Sequence, residues 1–202
     1  MKGLKITALI AMGVATVCVF TSAIAIPSSP AGWYVEGNVG SSRVSNVTYA
    51  TGNSIKSSGR AFNINGGYKF TPFFSAEIGY TTYASATASV NNVNVAVDNH
   101  YSYDAAGKII LPFADSGAEL FAKLGLAELK SRVKVQDQRY VTANGIIVNS
   151  GSRSASGYYF GLGGAYTFWQ GIAANGQWQR AKGNSTTGNY DLFSLGLSYT
   201  FA

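Results

Sequence analysis

The stretch "GGYKFTPFFSAEIGY", residues 66–80, decides how the chain must be read. On either side of Thr71-Pro72 the residues alternate. Tyr68, Phe70, Phe74, Ala76, Ile78 and Tyr80 fall on one face; Lys69, Ser75, Glu77, Gly79 and Thr81 fall on the other. Period two belongs to an extended strand and cannot arise from a helix. A soluble sheet would bury the aromatic face and turn Glu77 to water. The alternative is the reverse, with oil outside and an enclosed polar interior.

The same alternation recurs along the chain. "GWYVEGNVG" sets Trp33, Val35 and Val39 against Tyr34, Glu36 and Asn38, and "AFNINGGYKF" sets Phe62 and Ile64 against Asn63 and Asn65. "HYSYDAAGKIIL" opposes Tyr101, Tyr103, Ile109 and Leu111 to His100, Ser102, Asp104 and Lys108. "ELFAKLGLA" opposes Leu120, Leu124 and Leu126 to Glu119, Phe121 and Lys123. "YYFGLGGAYTF", "IAANGQWQ" and "LFSLGLSYTFA" continue it with Phe160, Leu162, Trp178, Phe193, Leu195, Leu197, Tyr199 and Phe201 on the apolar face. These make eight candidate strands, each near the ~9–11 residues that cross a bilayer when tilted.

The connectors alternate between short and long. Thr71-Pro72, the run 112–117 and the run 169–171 are short; the segments 45–58, 87–99, 130–154 and 180–189 are long. Short turns on one side and long loops on the other mark an outer-membrane barrel. Hydrocarbon offers no hydrogen bonds to an open sheet edge, so such a sheet must close on itself. Aromatic residues gather near the strand ends, with Trp33, Phe70, Phe74 and Phe168 by the short turns and Tyr83, Tyr101, Tyr103 and Tyr158 by the long loops. This is where amphipathic rings belong at a membrane border.

Composition agrees. Charged residues make up 12% of the chain, about half the share in an ordinary soluble domain of about 25%. A soluble lipocalin-type barrel, which would expose its charged face, fits this less well. The first residues read as a processing segment: Lys2 and Lys5, an apolar run, and a small-x-small site at Ala23-Ile24-Ala25. A secretory signal is therefore expected over 1–25 and a single barrel domain over 26–202. The sole cysteine, Cys18, falls in the leader, so disulfides and cysteine metal ligands are not expected in the mature chain. No cofactor and no metal is expected.

"GGYKFTPFFSAEIGY", with "GWYVEGNVG" before it, "GKIILPF" in the middle and "SLGLSYTF" at the end, resembles the transmembrane domain of outer membrane protein A and related porin-like surface antigens. The resemblance implies an all-β fold: an eight-stranded antiparallel transmembrane up-and-down β-barrel with short periplasmic turns and long extracellular loops. It implies a monomer in outer-membrane lipid and lipopolysaccharide. It also implies delivery by the barrel-assembly machinery, which would read the C-terminal strand ending at Phe201. The family's interior Glu–Lys/Arg cluster plugs or gates the lumen, and Glu77 and Lys108 occupy matching positions. No peptidoglycan-binding module is present in the sequence to suggest a cell-wall tether.

The expected interior network comprises Glu36, Lys69, Glu77, Asp104, Lys108, Glu119 and Lys123. Strand parity turns these side chains inward, where low dielectric demands that charges be paired. The expected pairs are Glu77 with Lys108, Glu36 with Lys69, and Lys123 with Asp104 or Glu77. The inner faces of the last three strands carry no charge. One role for the network is structural; the alternative is a gate in a narrow solute channel.

His100, Ser102 and Asp104 share one face, and an imidazole, a hydroxyl and a carboxylate are the parts of an acyl-transfer site. "HYS" also resembles the His-x-Ser element of outer-membrane lipid A deacylases. Parity sends the trio inward, away from acyl chains in the lipid, so a non-enzymatic barrel is the leading reading.

Basic residues collect at the long loops: Arg43, Lys56, Arg60, Lys130, Arg132, Lys134, Arg139, Arg153, Arg180 and Lys182, against Asp98, Glu128, Asp137 and Asp191. They suit the phosphates of lipopolysaccharide, or a host or cell-surface polyanion. Nucleic acid is not expected, because no aromatics interleave these charges along the sequence. Within the third long loop, Asn144-Gly145 predicts a type I′ hairpin that extends the fifth and sixth strands beyond the membrane.

Overall fold

The computed structural model describes residues 30–48, 54–90, 93–113, 116–135, 151–184 and 187–201. The expected leader, Arg139, Asp137, the Asn144-Gly145 turn and the side chain of Lys56 lie outside the described residues. The strands are β1 (Gly32–Thr48), β2 (Ser54–Thr71), β3 (Phe74–Thr82), β4 (Ala86–Val90), β5 (Val93–Pro112), β6 (Ala118–Val135), β7 (Gly151–Trp169), β8 (Ile172–Lys182) and β9 (Asn189–Phe201). Each pairs antiparallel with its neighbours, and β1 closes onto β9 from Trp33↔Phe201 to Ser45↔Asn189. Because β3 and β4 both pair with β5, they form one interrupted stave, and the sheet is a closed eight-stave barrel.

Two expectations change in detail. Parts of the segments read as long loops are strand: β1 and β2 pair out to Thr48↔Ser54, and β6 and β7 to Val133↔Gly151. Beyond the lipid both faces of a strand meet water, so the ladder continues while the apolar alternation that reveals it fades. The extra strand β4 follows a break at 83–85, where the chain turns inward. There Tyr83 N–H donates to the His100 carbonyl (2.9 Å) and Ala84 N–H to Ser42 Oγ (2.7 Å).

The short turns close as expected. At 170–171, Gly171 takes a positive φ of 74°, the left-handed region that glycine tolerates, and its carbonyl accepts Thr200 N–H at 2.8 Å.

Burial is inverted relative to a soluble protein. Leu195, Leu124 and Ile78 are about 70% exposed on the outer wall, whereas Glu36, Lys123 and Glu77 are 2–3% exposed inside. Rings line both borders of this wall, as with the Trp33–Tyr68–Phe70–Phe74 series at the short-turn end and Tyr80, Tyr101 and Tyr103 at the other. Tyr83 is the exception among the expected girdle residues. It is buried within the lumen, on the same parity as Thr81, a signal the sequence carried.

Candidate functional site

The lumen is filled in three storeys. Toward the short turns, Ile110, Phe121, Ala165 and Ala173 form a small apolar cluster. Toward the long loops, Tyr83, Leu129, Tyr159, Tyr190 and Leu192 form a larger one with Val44. Tyr83 and Tyr190 pack at 4.7 Å between ring centroids, and the His100 ring stands edge-on to Tyr190 at 5.4 Å.

Between the two lies the ionic layer. Glu36, from β1, is its hub: Oε1 accepts the amides of Asn65, Asn38 and Gln177, each at 2.9 Å, and Lys123 at 3.4 Å. Lys108 Nζ stands 3.7 Å from Glu36 Oε2. Strands β1, β2, β5, β6 and β8 thus converge on one carboxylate. Glu77 pairs with Lys123 at 2.7 Å and accepts the Tyr34 hydroxyl at 2.8 Å. Lys69 pairs with Glu119 at 3.2 Å. An amide ladder through Asn38, Asn63 and Asn65 continues to Thr81.

One expected pairing, Lys123 with Glu77, forms, and the other two are exchanged. Glu77 takes Lys123 rather than Lys108, and Glu36 takes Lys108 and Lys123 rather than Lys69. Sequence reasoning matched residues on adjacent strands, whereas these long side chains reach across the enclosed space. Lys108 Nζ also sits 4.0 Å over the Phe121 ring. Among the described residues Asp104 joins no pair: it is buried, and neither oxygen has a hydrogen-bond partner there. Sequence reasoning missed Tyr34, Asn38, Asn65 and Gln177, which satisfy the carboxylates. Their inward parity beside Glu36 and Glu77 was the available signal.

His100, Ser102 and Asp104 share an inward face but do not assemble as an acyl-transfer site. Ser102 Oγ bonds the Tyr83 hydroxyl (3.0 Å); His100 Nδ1 lies 3.2 Å from the Ala84 carbonyl, and Nε2 lies 3.4 Å from Asp98. All three are buried.

The basic residues divide by parity. Lys130, Arg132 and Lys134 stand at successive outward positions of β6, above Leu124 and Leu126. Lys130 pairs with Glu128 at 3.3 Å, and the neighbouring strand sets Tyr101 opposite it and Tyr103 5.3 Å beneath its Nζ. Those tyrosines come from the adjacent strand, which is why the sequence around these charges lacks them. Arg180 and Lys182 are on the outer wall, and Arg180 holds Asp191 through two hydrogen bonds. Arg153 instead takes the inward register of β7 and is half-buried, with one guanidinium nitrogen fully covered. It is not part of the outer surface.

A closed sheet with an apolar outer wall, aromatic borders and a polar, packed interior defines an integral outer-membrane β-barrel. The outer membrane protein beta-barrel domain family matches residues 8–201, and this chain belongs to that family. It is accordingly an integral protein of the bacterial outer membrane. An uncharacterized protein of Coxiella burnetii (strain RSA 493 / Nine Mile phase I) is 28% identical over 86% of this chain and 87% of its own. Among solved structures, Neisserial surface protein A shares the fold with a TM-score of 0.59 at 15% identity, covering 86% of this chain and all of that one. Ail, the attachment invasion locus protein of Yersinia pestis, has a TM-score of 0.54 at 16% identity over 84% of this chain and 99% of its own. OprG of Pseudomonas aeruginosa has 0.56 at 12%, over 87% and 99%.

Proposed function

We propose that this protein is a non-enzymatic, non-conducting surface barrel whose extracellular end binds anionic polymers through the outward face of β6. The observation that carries this reading is the contrast between a lumen occupied by its own partners and a stripe of unburied cations outside it. A polar recess of about 20 Å³ between Glu36, Lys69, Lys108 and Glu119 suits a single water rather than a solute. Lys130, Arg132 and Lys134 lie on one face of one strand, so they span on the order of 13 Å. Ail, which has the same fold, has been crystallised with the heparin analogue sucrose octasulfate. The C-terminal strand, with Leu197, Tyr199 and Phe201 turned outward, suits recognition by the barrel-assembly machinery.

The test is retention of heparin by the folded, detergent-solubilised protein. Retention should be lost in K130Q/R132Q/K134Q and weakened by salt; equal retention by that variant overturns the proposal. A second reading, a narrow channel gated by the interior charges, draws on the unpartnered Asp104 carboxylate. Single-channel currents in planar bilayers that change with Glu77→Gln would select it. Silent bilayers select the closed barrel.

A further inference from the structure

The long-loop rim of the barrel is uneven. Strands β8 and β9 stop at Lys182 and Asn189, whereas their outer neighbours β7 and β1 run on to Gly151 and Thr48. The last rungs on the short pair are Tyr158↔Lys182 and Ser45↔Asn189. Between β7 and β1 this leaves a notch two strands wide, about 14 Å across. Its floor is a turn closed by Gly183 N–H on the Gly188 carbonyl at 3.0 Å.

The β7 side of the notch is an open sheet edge. Thr167 N–H donates toward β6, to the Gly117 carbonyl at 2.8 Å, and the β6–β7 register runs without a bulge from Ala118↔Tyr166 to Val133↔Gly151. Backbone groups alternate in direction along a strand, so the odd-numbered residues of β7 bond β6 and the even-numbered ones face the other way. As far up as Tyr158 those even residues meet β8. Above it, Ser152, Ser154 and Ser156 have no strand beside them among the described residues. Their N–H and C=O groups stand in line, each serine about 6.6 Å from the next. Another extended backbone matches that spacing; a polysaccharide does not.

The edge is also accessible. Proline, a bulge or a lysine on the outer face would protect it, and residues 151–157 contain none of these. The outward side chains are the three serines, all exposed, and a Cβ on Gly151 would meet no atom within 4 Å.

Charge selects what can lie there. On the outer face Arg132 stands opposite Ser152 and Lys130 opposite Ser154, while exposed Lys182 ends β8 at the foot of the edge. The outward carboxylate on these rungs, Glu128 opposite Ser156, is paired with Lys130. The short serines let the long cationic side chains lean across β7, so a chain laid on the edge meets net positive charge.

We infer that the β7 edge accepts an extended, acidic polypeptide segment of another protein as an added strand. The backbone of Ser152, Ser154 and Ser156 holds it, and its carboxylates face Arg132, Lys130 and Lys182. The site rests on the reading that the long-loop end faces the cell exterior. It shares two cations with polymer binding at β6 but demands amide groups in the ligand, which that reading does not.

The experiment is fluorescence anisotropy of a labelled eight-residue peptide alternating glutamate and valine, titrated with the full mature chain folded in detergent. Two control peptides of the same charge carry N-methyl groups on either the glutamate or the valine amides, so each lacks the donors of one edge. The unmodified peptide should bind, and one of the two controls should bind at least about tenfold more weakly, the loss of one or two backbone hydrogen bonds. Ser154→Pro removes the central donor of the edge without touching a charge or a ladder hydrogen bond. It should weaken the peptide by a similar factor and leave heparin retention unchanged, so the two proposals fail separately. Different gel migration of boiled and unboiled protein certifies folding of the variant. Should Ser154→Pro not fold, the three peptides on the parent protein carry the test alone. Equal binding of all three peptides, or undiminished binding by folded Ser154→Pro, overturns the proposal and leaves charge as the sole attraction. So does failure of the unmodified peptide to bind.

Discussion

The two halves of the lumen solve the same burial problem differently. The inner faces of β1 to β6 carry every charge of the ionic layer, and all but Asp104 have an ionic partner within 4 Å. Beside that layer the inner faces of β7 to β9 carry no charge, and there Asn175, Gln177 Oε1 and Ser194 are buried without hydrogen-bond partners. A buried charge without a partner costs several kcal/mol, while a neutral amide or hydroxyl costs about 1–3. The charged half therefore needs nearly complete pairing, and the neutral half tolerates gaps.

The halves are also complementary in volume. A Cβ on Gly163 would lie 2.4 Å from the Phe121 ring and 2.6 Å from the Gly176 carbonyl. The glycine makes room for a bulky side chain crossing from the other half. The only hydrogen bond between the neutral half and the Glu36 hub among the described residues is the Gln177 amide.

This contrast can be broken from the charged side first. Lys123→Met should cost about 3–5 kcal/mol in urea unfolding from detergent or liposomes, because Glu36 and Glu77 lose a shared partner. A loss below about 1 kcal/mol would mean that Lys108 or water replaces it. Gly163→Val should cost about 1–3 kcal/mol by overpacking. Phe121→Leu should recover part of that loss if the ring is the obstacle, visible as a coupling energy in the double-mutant cycle. Asn175→Val should be the mildest, within about 1 kcal/mol of the parent, since it removes two unpartnered polar atoms. A loss as large as that of Lys123→Met would put ordered water on Asn175 and close the distinction between the halves.

Much of this was legible in the sequence for a definite reason. Period two sorts each strand into two faces, and lipid admits only one assignment of those faces. Glu36, Glu77, Lys108 and Lys123 were readable as interior from parity alone, and so was Lys130 as exterior. Tyr83 and Arg153 obey the same parity; their placement at a girdle and a surface failed because position near a loop was given more weight than register. The strand extensions past the membrane were hidden, because β6 beyond Lys130 and β1 beyond Val44 no longer separate oil from water.

By itself, then, the sequence determined the barrel, its side of contact with lipid, and which charges are enclosed, because these depend only on alternation and solvent. Which lysine meets which glutamate was decided by the closed tertiary structure. The stagger of strands and the reach of side chains across the lumen set those distances, and neither is written in the order of residues along one strand.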